Sequence, residues 1–220
     1  MIIADEQMAK LKEEFEQTPL TQGLDSETKQ LCTVALINWT LTGKLTDQDP
    51  LDCMSPVLRE YVISVQDLLP LVMLDPNDDH GQRWRMVAPL LAGSVNDELE
   101  QRRCEAIIDW MWAGLTNHTF GPTLSGPSLS LWEKMLEQRS IDSADEVFYF
   151  HKKNSASSIT SFFPYSWAAK DIQKALLFFA NKNYPMSAIN AVQALYELNC
   201  LCELTDPATL LEELVNIEQD

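Results

Sequence analysis

No lysine or arginine occurs after Lys182, although Glu197, Glu203, Asp206, Glu212, Glu213, Glu218 and Asp220 all follow it. That absence is the extreme of a chain-wide deficit: 16 basic residues stand against 33 acidic ones, a formal net charge of −17. Charge so lopsided repels itself in a compact state. It calls for an account as solubility, steering of a cationic partner, or exclusion of nucleic acid. The lone basic cluster, His151-Lys152-Lys153-Asn154, is too small to hold a nucleic acid, because affinity there grows with the number of phosphates neutralised. Its plain reading is a solvated loop, and no nucleic-acid partner is expected.

Other shortages narrow the field further. Only seven glycines are present, and none cluster into a phosphate-cradling loop. No apolar run approaches the ~20 residues that cross a bilayer, so no membrane partner is expected. The opening MIIADEQMAKLKEEFEQ turns acidic at Asp5 and lacks the basic end and apolar stretch of a secretory signal. A cytoplasmic location is the expectation. The five cysteines, Cys32, Cys53, Cys104, Cys200 and Cys202, are odd in number and mostly lie in apolar patterns. Reduced thiols packing as small hydrophobes are expected. Cys200 and Cys202 form a C-x-C pair, not a C-x-x-C knuckle. No metal or cofactor is expected.

What is present reads as helix. Apolar residues make up 45% of the chain, with six Trp, eight Phe and five Tyr, which is core-forming and not disordered. Val57, Leu58, Tyr61, Val62, Val65, Leu68, Leu69 and Val72 follow the i, i+3, i+4, i+7 spacing of one apolar stripe. Ser55-Pro56, Asp206-Pro207 and Tyr184-Pro185 mark helix starts, because proline at the first turn loses no needed N–H. Leu31 to Leu41 is apolar on almost every side and reads as a central buried helix. A further helix is predicted from a cap at Asn96 through Met111, and others near Ala4–Gln17, Asp79–Ala92, Ser128–Gln138 and Ser166–Asn181. Pro70 and Pro89 kink or end the helices they fall in. Only Glu146 to Phe150 competes as a strand, and it has no obvious partner. The expectation is all-α: about nine helices in a bundle or irregular array, forming a single helical domain over 1–220. Any subdivision falls at the Gly/Pro/Ser-rich stretch 114–127.

Candidate chemistry is sparse. Asp75-Pro-Asn-Asp-Asp-His80 opens like a calcium loop, but His80 stands where glycine is needed and Met86 where the bidentate Glu belongs. An inter-helix loop whose acids cap the next helix is the plainer reading. His80, His118 and His151 are scattered, each in a polar stretch, with no H-E-x-x-H and no G-x-S-x-G. No catalytic residues are assigned, although a triad recognised by geometry alone is not visible to a sequence. Asp67, Arg102, Arg103 and Asp109 form either a charged pocket for a carboxylate or phosphate, or an internal ion pair that registers helices. The ion pair is preferred, because buried charges are usually paired. The acidic C-terminal residues Glu203, Asp206, Glu212, Glu213 and Glu218 are candidates for a protein-binding face.

Residues 55–112 carry a pattern of Pro56, Val57, Leu58, Leu69, Pro70, either Arg83 or Arg85, Pro89, Leu90, Gly93, Glu100, Arg102, Arg103, Asp109 and Trp110. This pattern resembles a group of uncharacterised bacterial all-helical proteins. More distantly, it is similar to helical immunity proteins of bacterial toxin systems. The second resemblance implies a protein that occludes a toxin and performs no catalysis. With the charge, it leads to the expectation of a non-enzymatic, acidic, immunity- or inhibitor-like protein masking a basic partner such as a toxin nuclease. The alternatives are a DNA-mimic inhibitor of a nucleic-acid-binding enzyme, or a helical small-molecule binder or enzyme with a pocket near Trp84, Trp110 and Trp112.

Overall fold

Helix after helix, the computed structural model follows the apolar periodicities. It describes residues 3–25, 30–48, 51–118, 124–154, 163–203 and 206–217. The fold is all-α. The helices are α1 (Asp5–Gln17), α2 (Thr33–Thr42), α3 (Pro56–Leu68), α4 (Asp79–Val87), α5 (Glu100–Asn117), α6 (Pro127–Gln138), α7 (Ile141–Asn154), α8 (Phe163–Ala180), α9 (Tyr184–Glu197), the single turn α10 (Cys200–Glu203) and α11 (Pro207–Val215). Extended structure among the described residues amounts to a two-residue antiparallel pairing, Leu24–Asp25 with Gln30–Leu31, and a bridge from Leu20 to Leu31. Residues 146–150, the one strand candidate, lie inside α7.

The contacts divide into two units, residues 1–103 with 206–220, and residues 104–205. The boundary falls inside α5, upstream of the stretch 114–127. In the first unit α1 packs on α2 and α4, α2 on α3, and α11 on α3 and α4. As the central helix of the sequence reading, α2 is buried from Thr33 through Asn38, and only its end surfaces at Trp39. The buried polar groups around it are satisfied: Gln66 Oε1 accepts the Thr33 N–H at 2.9 Å, and the Trp84 indole donates to Thr33 Oγ1 at 2.9 Å. Leu11, Phe15, Val57, Leu58, Tyr61, Leu211 and Leu214 complete this core.

In the second unit α6 packs on α7, α7 on α8 and α8 on α9. Buried Ala168, Ala169, Ala175, Ala188, Ala191 and Ala194 keep α8 and α9 slim. The backbones come near enough for the Ser187 hydroxyl to donate to the Ala175 carbonyl at 2.7 Å. Helix ends here do not rely on glycine. Arg139, Lys182 and Asn199 adopt the left-handed conformation beyond α6, α8 and α9, at a strain that tertiary packing offsets.

The proline-marked starts are where the sequence placed them, with Ser55, Asn183 and Asp206 as caps. Pro70 follows the end of α3, and Pro89 sits in a 3₁₀ turn (Ala88–Leu91) that ends α4. Two boundaries differ. Helix α5 starts at Glu100, because Asn96 Oδ1 accepts the Glu98 N–H in a preceding turn. It then runs on to Asn117, into the stretch predicted as loop. Residues 152–154, predicted as solvated loop, are the last turn of α7, where basic side chains suit the helix dipole.

Candidate functional site

The charged group singled out in the sequence is taken apart by the fold. Arg103 is 2% exposed, and its ion pair is with Glu100 at 2.9 Å. The Nη1 that makes this pair also donates to the Ser94 carbonyl at 2.7 Å, and Nε reaches the Leu214 carbonyl at 3.3 Å. Asp109 and Arg102 are exposed on α5, and Asp67 accepts the Gly23 N–H at 3.1 Å. An internal ion pair therefore exists, with a different acid from those expected.

Glu100 does more than neutralise Arg103. Its Oε2 accepts the Ser55 hydroxyl at 2.9 Å and the Val57 N–H at 3.0 Å. It thus supplies an anion to the first turn of α3, where the helix dipole favours one. Ser94 Oγ accepts the Ser55 N–H at 3.0 Å and donates to the Leu91 carbonyl at 2.7 Å. Ser55, Ser94, Glu100 and Arg103 close on themselves as a structural lock. The sequence held a clue in the acidic Glu100 three residues before Arg103, the i, i+3 spacing that lets them meet.

The acidic C-terminal candidates have three fates. Asp206 is engaged: it accepts the Ala208 N–H at 3.0 Å and the Thr209 hydroxyl at 2.8 Å, and pairs with Arg83 at 2.6 Å and His80 at 3.5 Å. Partial burial alone would raise its carboxyl, but the Thr209, Ala208, His80 and Arg83 contacts outweigh that and hold it below the usual range. Glu212 and Glu213 stand exposed on α11 with no ion pair among the described residues. Glu203 and Glu218 lie outside the residues whose side chains are described.

In the loop before α4, Asp75 Oδ1 accepts the Asn77 N–H at 2.8 Å and Asp78 Oδ1 the His80 N–H at 3.0 Å. Asp78 is the cap of α4, and Asp75 holds the turn before it. Cys32, Cys53, Cys104 and Cys200 are buried, and the Cys202 side chain lies outside the described residues. Trp84 and Trp112, offered as pocket residues, are each 2% exposed and belong to the cores of their own units.

One chemistry-bearing cluster was not foreseen. His151, expected in a polar loop, is fully buried on α7. Its Nε2 lies 3.2 Å from Ser128 Oγ and accepts the Trp132 indole N–H at 3.2 Å. Because Nε2 accepts, the proton of the neutral ring sits on Nδ1. Tyr165 stacks on the imidazole, with centroids 6.1 Å apart. Burial lowers the pKa of His151 and keeps the ring neutral. A serine beside an imidazole is the nucleophile–base pairing of acyl transfer, but here Ser128 is 5% exposed and the base nitrogen already engages an indole. The cluster ties α6 to α7 and α8. The Ser128–Trp132–His151 spacing has no sequence pattern that announces it.

Comparison with protein-family models, curated proteins and solved structures yields no match to this chain.

Proposed function

We propose that this protein is a non-enzymatic, acidic binding protein of immunity or inhibitor type, which masks a basic protein partner such as a toxin nuclease. The observation that carries the reading is the outer face of α11. Leu210, Leu211 and Leu214 are buried, while Glu212 and Glu213 face solvent with no ion pair among the described residues. No basic residue follows Lys182 to balance them. A face kept only for solubility gains from mixing signs, since i, i+4 pairs of opposite charge stabilise a helix. An unbalanced carboxylate face instead favours encounter with a cation-rich surface.

Affinity capture on the tagged protein with elution over a salt gradient, beside the Glu212→Gln/Glu213→Gln variant, tests the reading. A basic protein released as salt rises, and bound more weakly by the variant, is the expected result. The association rate of the purified pair should also fall as salt screens the attraction. Capture indifferent to both salt and the two substitutions overturns it.

A further inference from the structure

Arg85 is the one arginine of α4 that the fold buries, at 8% exposure, and among the described residues no carboxylate forms an ion pair with it. Its Nη1 donates to the carbonyls of Phe15 and, at 2.8 Å, Thr18; its Nη2 reaches the Leu74 carbonyl at 3.3 Å. Its Nε is buried and meets no acceptor. A guanidinium that leaves water is more usually neutralised, because desolvating an unpaired charge is costly. Here the carbonyls at the end of α1 offer only partial negative charge. Asp75 acts on it through the field, but in a chain of net charge −17 a buried cation with no direct ion pair among the described residues and an unmet Nε is out of character.

The space beside it is built for something small. Arg85 lines a groove of about 530 Å³ together with Lys12 and Glu16 of α1, Gln82 and Met86 of α4, and Pro76. It also lines an adjoining hollow of about 220 Å³, with Leu20, Leu74 and Pro76 on its apolar side. The two spaces share Arg85 and Pro76 and lie wholly within the first unit. Volumes of this order suit small metabolites, and a few polar groups converging on an apolar hollow is how such sites orient a ligand.

We infer that this groove binds a small monocarboxylate bearing a short apolar group, with the carboxylate at Arg85 and Lys12 and the apolar end in the hollow of Leu20, Leu74 and Pro76. The carboxylate supplies the direct ion pair that Asp75, which acts on Arg85 only through the field, does not make. Gln82 supplies an amide donor beside it. Glu16 on the groove and Asp75 on the hollow are carboxylates themselves, and they disfavour a doubly charged anion, so the site selects a single charge. Desolvation pulls the pKa of Arg85 down, a penalty that a bound anion relieves. This site is separate from the α11 face and stands whether or not that face binds a partner.

Calorimetric titration of the full chain with 4-methylpentanoate, its neutral amide 4-methylpentanamide and inorganic phosphate tests the assignment. Removing Arg85 endangers the end of α1, so the informative variants are at exposed positions. Lys12→Gln removes a cation, and Gln82→Glu places a repelling charge in the groove; thermal melts check that both fold. The acid should bind saturably, about fivefold more weakly to Lys12→Gln and not measurably to Gln82→Glu. The amide and phosphate should bind at least about tenfold more weakly than the acid. The inference is overturned if the acid gives no saturable heat, if the amide matches it, if phosphate binds more tightly, or if Gln82→Glu leaves the isotherm unchanged.

Discussion

Ser55 and Glu100 share one proton bridge at the start of α3: the Ser55 hydroxyl donates to Glu100 Oε2 at 2.9 Å while accepting the Leu58 N–H at 3.1 Å. The same carboxylate pairs through its other oxygen with the buried Arg103. Truncating either end of this lock leaves a buried charge unsatisfied. Glu100→Ala and Arg103→Met should each cost about 3–5 kcal/mol, read as a shift in the urea midpoint. The double variant should cost clearly less than the sum, because the two single losses share one interaction. A stable Arg103→Met protein with unchanged midpoint contradicts this account.

His151 makes stability depend on pH. Burial holds its folded-state pKa below the ordinary 6.5. As pH falls through that ordinary value, the unfolded chain takes up a proton that the folded chain refuses. Stability is therefore fully present above about pH 6.5 and declines below it, by at most about 1.4 kcal/mol per pH unit, until the folded-state pKa is reached. His151→Asn should flatten that decline relative to wild type when urea unfolding is compared on either side of about pH 6.5. Parallel pH profiles for the two proteins would show that His151 is not the group responsible.

Asp206 opens α11 and joins it to α4 through Arg83. Asp206→Ala should destabilise by about 1–2 kcal/mol, the usual range for a lost cap. The contribution of the exposed Arg83 pair is small. Because the Asp206 carboxyl is held below its ordinary pKa, its stabilisation is present above about pH 4 and is lost as pH falls through the folded-state value. The difference between wild type and variant should therefore shrink in acid, measurable by thermal melts across that range.

Gly81 sits where the first turn of α4 presses on the loop before it. A Cβ added there would collide with the Asp75 carbonyl oxygen and stand 2.8 Å from its carbonyl carbon. Gly81→Ala should lower the melting temperature, with a cost of about 1–3 kcal/mol from forced backbone shifts. The helix propensity of alanine, which favours it over glycine by about 1 kcal/mol, does not rescue it. An unchanged or raised melting temperature would show that the Asp75 loop yields freely.

Local signals carried most of the helix positions. Ser55-Pro56 and Asp206-Pro207 are legible because a cap and a first-turn proline act within a few residues, whatever surrounds them. The stripe from Val57 to Val65 is legible because helix period and burial must agree. The end of α5 was not, since Gly114 weakens a helix locally but is buried inside one here. The ends at Arg139, Lys182 and Asn199 were also silent, because left-handed caps are read from glycine and none is present.

By itself the sequence determined the all-α class, the apolar faces and the surplus of acid, since each follows from periodicity, capping or a count of charges. Tertiary structure alone decided which polar groups meet across elements. Glu100 finds Ser55, Arg103 finds Ser94, Asp206 finds Arg83, His151 finds Trp132, and the Arg85 donors find only carbonyls. Such pairings need groups from different elements within about 3 Å, a distance set by how helices pack and not by their spacing along the chain.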